Sequence, residues 1–541
     1  MSDMRFSRRR FLEYTGGLAA VVAAPGLLSA CGGDGGGVSP SDAASANRAV
    51  QLPTYVPWDQ VSPDLPPTPE GVMAGYYGYP TPVDGFSSPP LSGAEPVQIL
   101  TNMLNPLPPA VGDNAYWQEL NARVGTEIDL TMTPQAEYPN KLATVFAGGD
   151  LPDIMLITTT LANRADVLTR LCADLTEFLS GDAVNEYPFL ANIPVDSWPA
   201  MVYNGGIYAL PIPRAVVGTI FFTRADLIAE RSLNPAPASY EEFREVAEGV
   251  TDAAGNRWAF GAGKSVITFV GNMLGVPNVW REEGGSFTSE HETEERKEAI
   301  ARTAELVQAG VFHPDAIGGK LQLRELFGNG TLAFQSDGYA AWDILADTYP
   351  VEVGAMPAPS FGGGDSGVVR AGATSFGYTA FKKAEPERIK ELLALCNWLA
   401  APLGTSEFMF RKFGIEGTHY TMENGAPVRT EQGNTEVKLP LEYVADSPHV
   451  LGPRDRTRVD AQRAYQEQVV PNIVRNPAEG LYSPASINKG GQLTKILDDA
   501  ELEILSGRQP IDYWDTTVDN WRRQGGDQIR SELEAAFAET H

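Results

Sequence analysis

Cysteine and histidine are scarce in this chain, with three and five copies among 541 residues. The scarcity removes whole classes of chemistry. Neither a His-Glu-x-x-His run nor a Cys-x-x-Cys pair is present, so zinc-dependent catalysis has no support. A disulfide framework is unsupported too. Cys172 and Cys396 sit in the apolar helical patterns LTRLCADL and LLALCNWLA, where a thiol packs as a small hydrophobe; a long-range bridge between these two stays open. Gly-x-Ser-x-Gly is missing, and with it the nucleophile-elbow signature of many hydrolases. Positive charge is also short: 41 Lys and Arg stand against 69 Asp and Glu, for a net charge of -28. That balance argues against nucleic-acid partners, which require a basic footprint. It says little about a small solute, because surface charge does not fix the field inside one cleft. The segment Gly261 to Ser265, GAGKS, looks like the end of a phosphate loop, but the full pattern needs glycine where Trp258 stands. TDAAGNR supplies only Asp252 and Asn256 as side-chain oxygens, too few for a calcium loop. No metal and no cofactor is expected. A carboxylate pair for glycoside hydrolysis stays open among so many acidic residues, which keeps a secreted carbohydrate-active hydrolase as the rival class.

Near the N-terminus the apolar stretch from Leu18 to Leu28 is interrupted by Pro25 and Gly26. It falls short of the roughly 20 apolar residues that span a bilayer. The basic patch before it, Ser7-Arg8-Arg9-Arg10-Phe11-Leu12, makes the whole an export signal with a charged head and a short apolar body. Ser-Arg-Arg-x-Phe-Leu resembles the twin-arginine signal, whose substrates cross the membrane folded; Arg8 and Arg9 are its pair, and Glu13 stands where that family carries lysine. LLSAC, ending at Cys31, resembles the lipobox of bacterial lipoproteins. The resemblance implies cleavage before Cys31 and a diacylglycerol on its thiol, and two acyl chains at about 0.8 kcal/mol per buried methylene hold a protein on a membrane. The alternative is an uncleaved anchor in which Cys31 is an ordinary small residue.

A chain of this length exceeds one ordinary core, so two lobes are expected. Residues 1-30 read as signal peptide, and 31-94 as a Gly/Ser-rich tether followed by a Pro-rich extended strap. Tyr76, Tyr77 and Tyr79 in AGYYGYP are unusual for a free segment, so the strap is expected to lie on the folded body. VQILTNML, AYWQELNARVG, EIDLTMTP, YPNKLATVFAGG and PDIMLIT alternate as β-α-β-α-β, which indicates a parallel sheet covered by helices. Ligands of such sheets bind beyond the carboxyl ends of the strands. Ser239 and Glu242 have capping-box spacing before a helix. Ile300, Ala304 and Val307 recur at helical spacing in a second, with Gly310 as its stop. His291, inside the charge run SEHETEERKE, reads as part of a solvated helix face.

Six stretches together resemble the extracellular solute-binding proteins, family 1, that deliver sugars to ABC importers. They are AGGDLPDIM, NGGIYALPIPR, FFTRADLIAERSLNPAPASYEEF, LGVPNVWREEGG, ELVQAGVFHPD and FGIEGTHYTMENGAP, spread over roughly residues 95 to 541. The resemblance implies an α/β, two-lobed class II periplasmic-binding-protein fold with three interlobe crossings. These are expected near Leu210 to Val217, Ala371 to Phe376 and Lys412 to Gly417. Lobe 1 would then be 95-212 with 372-412, and lobe 2 would be 213-371 with 413-541. The resemblance further implies a non-enzymatic, monomeric binder that closes on its ligand, anchored on the extracytoplasmic face beside permease subunits. An oligosaccharide is the expected solute; a peptide, polyamine or metal chelate on the same fold is the second alternative.

A sugar cleft needs aromatic platforms for apolar ring faces and amides, carboxylates or guanidinium groups for the hydroxyl fringe. Loop positions that could supply them are Asn102 and Asn105 after the first strand, Thr159 after the third, Arg214 at the first crossing, and Trp280. Asp337, Tyr339 and Trp342 in SDGYAAW lie where relatives of the maltose-binding type place a stacking aromatic. Ser375 and Phe376 follow at the second crossing. Trp198, Trp258 and Trp398 lie in patterned segments and read as core.

Overall fold

A computed structural model describes residues 45-541 of the chain, except 105, 159-160, 162-163, 319-320, 454, 482 and 541. Arg8, Arg9, Cys31, Asn105 and Thr159 therefore lie outside the described residues. Among the described residues no helix is long and apolar enough to cross a membrane.

Three strands, Val97–Met103, Ile128–Pro134 and Ile154–Ile157, form parallel neighbours with the first in the middle; the outer strand Ile128–Pro134 alternates buried and exposed residues over its first half. The two inner strands, buried along most of their length, are covered on both faces. The helices Ala115–Val124 and Tyr138–Gly148 follow the first two strands. Asn114 caps the first helix by accepting from the Trp117 N–H, and Trp117 Nε1 donates to the Ile128 carbonyl at 3.0 Å. Tyr138 donates its hydroxyl to the Leu156 carbonyl at 2.7 Å. Two later segments complete the sheet: Ser375–Phe381 runs antiparallel to the third strand, and Leu210–Pro213 forms the edge beside it. Pro211 and Pro213 have no N–H to give to a ladder, and an edge is where a sheet tolerates them. Cys172 and Cys396 are buried free thiols in the core around this sheet, and burial pushes the Cys172 thiol up to about 12.

A second sheet has Thr219–Arg224 at its centre, antiparallel to Phe334–Gly338 and Val353–Ala355. Alternation along the central strand divides its residues between two further cores. Phe221 enters one, stacking on Phe269 at 4.2 Å. Ile220 and Phe222 enter the other, where Trp342 stands edge-on to Phe222. The helices Tyr240–Val250, Gly263–Leu274, Glu294–Gln308 and Pro484–Leu505 build the first of these two cores; Arg456–Val469 and Ala341–Thr348 build the other. Ser239 Oγ accepts from the Glu242 N–H at 3.3 Å. The Glu242 carboxylate turns to the Ala238 N–H and Asn234, so the capping-box spacing yields half a box.

The solvated face expected at His291 is not formed. Its ring lies about 6 Å from those of Trp514 and Trp521, whose helix arrives from more than 200 residues away. Its Nδ1 is buried with no hydrogen-bond partner among the described residues.

The chain passes between the two lobes as extensions of strands. Leu210–Pro213, the edge of the first sheet, runs on through Arg214 to Gly218 and becomes the centre of the second. The return passage lies beside it: Val217 bridges Ala371, and the Gly372 N–H donates to the Val216 carbonyl at 2.9 Å. Gly218 and Gly372 permit this approach. A Cβ on Gly218 would sit 2.7 Å from the Gly372 Cα. Gly218→Ala is therefore expected to destabilise the protein by about 1 to 3 kcal/mol, as overpacking against backbone does; urea unfolding that matches wild type would refute the close-approach account.

The third passage differs from the expected one. Ile415, Val437, Leu439, Leu441, Tyr443, Val444 and Ala445 all pack with the first core, whereas Leu451 and Val459 join the third. The crossing thus falls between Ala445 and Leu451, not at Lys412 to Gly417, and residues 413 to about 446 go with the first lobe. Apolar side chains at 437 to 445 decide this, because the first core is the one they fill.

The strap adds two more passages. Thr54 donates its N–H to Gly181, and Val50, Leu52 and Trp58 pack on the first core. Residues 65-77 then lie on the third core: Val72 is buried there, the Met73 N–H donates to Gln466, and Gly75 bridges Leu451. Tyr77 donates its hydroxyl to Asp460 at 2.6 Å under Arg456, whose guanidinium carbon is 3.7 Å from the ring centre. The strap returns at Gly85 and Phe86, whose N–H groups both donate to the buried Glu407 carboxylate at 3.0 Å. Leu91 ends it in the first core.

Candidate functional site

Where the paired passages leave the first sheet, a cavity of about 810 Å³ opens. The first lobe contributes Ser375 and Phe376, and the passages contribute Arg214, Gly218, Gly372 and His449. The second lobe supplies Lys264, Thr268, Asn272, Asn278, Arg324, Asp337, Tyr339 and Arg370. A larger groove of about 1190 Å³ runs beside the edge strand Ile128–Pro134, from Leu107 and Trp117 to Asp153 and Arg388. All of its lining belongs to the first lobe, so nothing can close over it from the other side.

Five expected contact residues meet at the interlobe cavity: Arg214, Asp337, Tyr339, Ser375 and Phe376. Three of them have prior engagements. Asp337 accepts two hydrogen bonds from Arg324, at 2.7 and 3.2 Å, and others from Gln335 and the Gly338 N–H. Ser375 Oγ accepts from the Ile212 N–H at 3.0 Å and donates to the Gly377 carbonyl at 2.6 Å, holding the irregular register of the sheet edge. Tyr339 is mostly buried, with its ring among those of Trp342 and Tyr465, and burial pushes its hydroxyl far above the ordinary range.

Arg214 is different. It is the first residue beyond the proline-bearing edge strand, fixed by its N–H donating to the Thr374 carbonyl at 3.1 Å. Its guanidinium carbon lies 4.5 Å over the Phe376 ring, which Tyr443 backs at 4.8 Å. Neighbouring cations are held by carboxylates: Lys264 by Asp498 at 2.6 Å, Arg370 by Glu290 at 2.9 Å, and Arg324 by Asp337.

The remaining expected residues are elsewhere. Trp280 packs among Phe287 and Trp521 in a hairpin of the second lobe, and Trp342 lies behind Tyr339 against Phe222 and Tyr465. Both are buried and neither lines the cavity, a correction to their reading as sugar platforms. Asn102 is buried on the first strand, its Oδ1 without a partner among the described residues, and it too is not part of the cavity wall. Trp198 and Trp398 are core.

His449 was not anticipated. It stands on the third passage and also lines an adjoining cavity of about 750 Å³, with Tyr79 of the strap, Phe408, Phe413 and Arg429 from the first lobe and Asp343 and Asp347 from the second. Burial depresses the His449 imidazole below its ordinary value, against the pull of Asp446. In sequence only a Pro-His pair marked it. Among the described residues no three His, Cys, Asp or Glu side chains are grouped to hold a metal ion.

With this geometry goes a match over residues 115-410, more than half of the chain, to the model of the bacterial extracellular solute-binding proteins. The chain belongs to that family. As a solute-binding protein it is one of a family of binders, not of enzymes. It is 26% identical over 442 residues, covering 78% of this chain and 87% of its relative, to the polygalacturonan/rhamnogalacturonan-binding protein YtcQ of Bacillus subtilis. To Lipoprotein LipO of the same organism it is 21% identical over 479 residues, covering 82% and 92%. Among solved structures it resembles the N-glycan transport solute-binding protein NgtS of Streptococcus pneumoniae with a TM-score of 0.63, at 15% identity, over 82% of this chain and 99% of that one. At that identity the likeness establishes the two-lobed fold.

Proposed function

We propose that this protein is the lipid-anchored, extracytoplasmic binding component of an ABC importer, and that it carries an oligosaccharide. The observation that carries the reading is the cavity at the paired passages, with walls from both lobes and from the strands that join them. A ligand there touches both lobes, so the closed form gains the full interaction and the population shifts toward it. YtcQ's name supports a carbohydrate ligand, and LipO's supports the anchor that LLSAC suggests at Cys31. One copy suffices, since a single chain supplies every wall of the cavity. The permease is the expected partner that reads closure.

A thermal-shift screen of the purified chain against mono- and oligosaccharides tests this. A ligand at about 100 times its Kd adds roughly 2.7 kcal/mol of stability, and the expected result is a shift with an oligosaccharide and no product formed. Turnover of a glycan would favour the hydrolase; a shift with peptides or polyamines alone would discard the sugar.

A further inference from the structure

We propose that the saccharide is acidic and that Arg214 receives its carboxylate; this rests on the carbohydrate reading above. The whole chain is acidic, with a net charge of -28. Its cavity is not. Among the described residues Arg214, Lys264, Arg324 and Arg370 line it against one carboxylate, Asp337. Three of these cations are neutralised by protein carboxylates within 3.0 Å. Among the described residues Arg214 has no carboxylate within 4.0 Å, and its guanidinium makes no hydrogen bond.

A guanidinium offers five N–H donors in a planar fork that matches a carboxylate in two parallel hydrogen bonds. Stacking on Phe376 holds the plane of Arg214 while leaving its edge available. Little side-chain freedom remains to be lost when an anion arrives. A neutral sugar in the same place strips water from the half-buried cation without supplying a charge partner, and that unpaired charge discriminates against it. A sugar ring bearing a carboxylate in place of its hydroxymethyl group supplies what is missing.

The test is isothermal titration calorimetry of the full chain with oligogalacturonates of two to six rings and with their methyl esters, which keep the skeleton and lose the charge. The acid form is expected to bind at least about tenfold more tightly than the ester, with an advantage that shrinks as salt rises. In Arg214→Gln the acid-to-ester ratio falls close to one, and in Arg214→Lys it is intermediate. Equal or tighter binding of esters or of neutral maltooligosaccharides by wild type overturns the charge assignment and leaves the carbohydrate reading standing. A ratio unchanged in Arg214→Gln overturns the role of this residue. If no saccharide of either kind binds while another solute does, both readings fall.

Discussion

Arg296→Met is expected to lower the stability of this protein by about 3 to 5 kcal/mol, the cost of breaking a buried ion pair from one side. Arg296 lies on the helix Glu294–Gln308 with 4% of its side chain exposed, between Glu501 at 5% and Glu290 at 10%. Glu501 comes from the helix Pro484–Leu505, and Glu290 also pairs with Arg370 on the cavity wall. Burial alone would push the Glu290 carboxyl up. Arg296 and Arg370 outweigh it and hold the group below its usual value. Methionine keeps much of the packed length and removes the charge, so Glu501 loses its partner while Glu290 keeps one. The double replacement Arg296→Met with Glu501→Leu should recover most of the loss, because the pair leaves together. Urea unfolding followed by tryptophan fluorescence reads both variants. A single replacement costing under about 1 kcal/mol would mean that water reaches the pair and screens it.

Acidification is expected to weaken the fold before most carboxylates titrate. Burial between Trp514 and Trp521 lowers the His291 imidazole from 6.5 to about 4, with Arg296, Arg370 and Lys264 adding to the effect and Glu290 opposing it. The unfolded chain therefore binds a proton that the folded chain refuses. Stability is intact above about pH 6.5 and falls as pH drops toward 4, by up to about 3 kcal/mol at 1.36 kcal/mol per unit. His449 is shifted in the same direction and adds to the slope. Asp446 has the opposite placement: burial would raise it, but Arg411 and Lys412 hold it far below its ordinary 3.8, so its contribution is lost only under more acid conditions. His291→Phe should flatten the dependence between pH 6.5 and 4, measured as unfolding midpoints across that range. Parallel pH profiles for wild type and variant would reject the assignment.

The parts of the fold that were legible share a cause. The run from Val97 to Ile157 is read from neighbours in sequence, because its inner strands are apolar on both faces, its outer strand alternates, and its first helix caps locally at Asn114 and Gly125. The burial of His291 is not legible locally, because the tryptophans that bury it belong to a segment more than 200 residues later. Nor is the third passage, because nothing in ADSPHVLGP announces a change of core; only the packing of Val437 to Ala445 does. At the site, residue type pointed to Arg214, Tyr339 and Phe376, yet it could not reveal that Asp337 is clasped by Arg324 or that Ser375 fastens a sheet edge. Tyr339 and Trp342, three residues apart, divide for a similar reason: one borders the cavity, and the other faces the Phe222 side of the strand.

The strap carries a consequence for the order of events in folding. The anchors of its stretch from Met73 to Phe86 are Asp460, Gln466 and Glu407, more than 300 residues along the chain from the groups they hold. Loop-closure entropy rises only slowly with such distances, so the contacts are affordable at equilibrium. They are nevertheless late, since pairings of high sequence separation form after local structure. The stretch from Met73 to Phe86, synthesised early, thus waits for residues 404 to 466 to fold before it can dock.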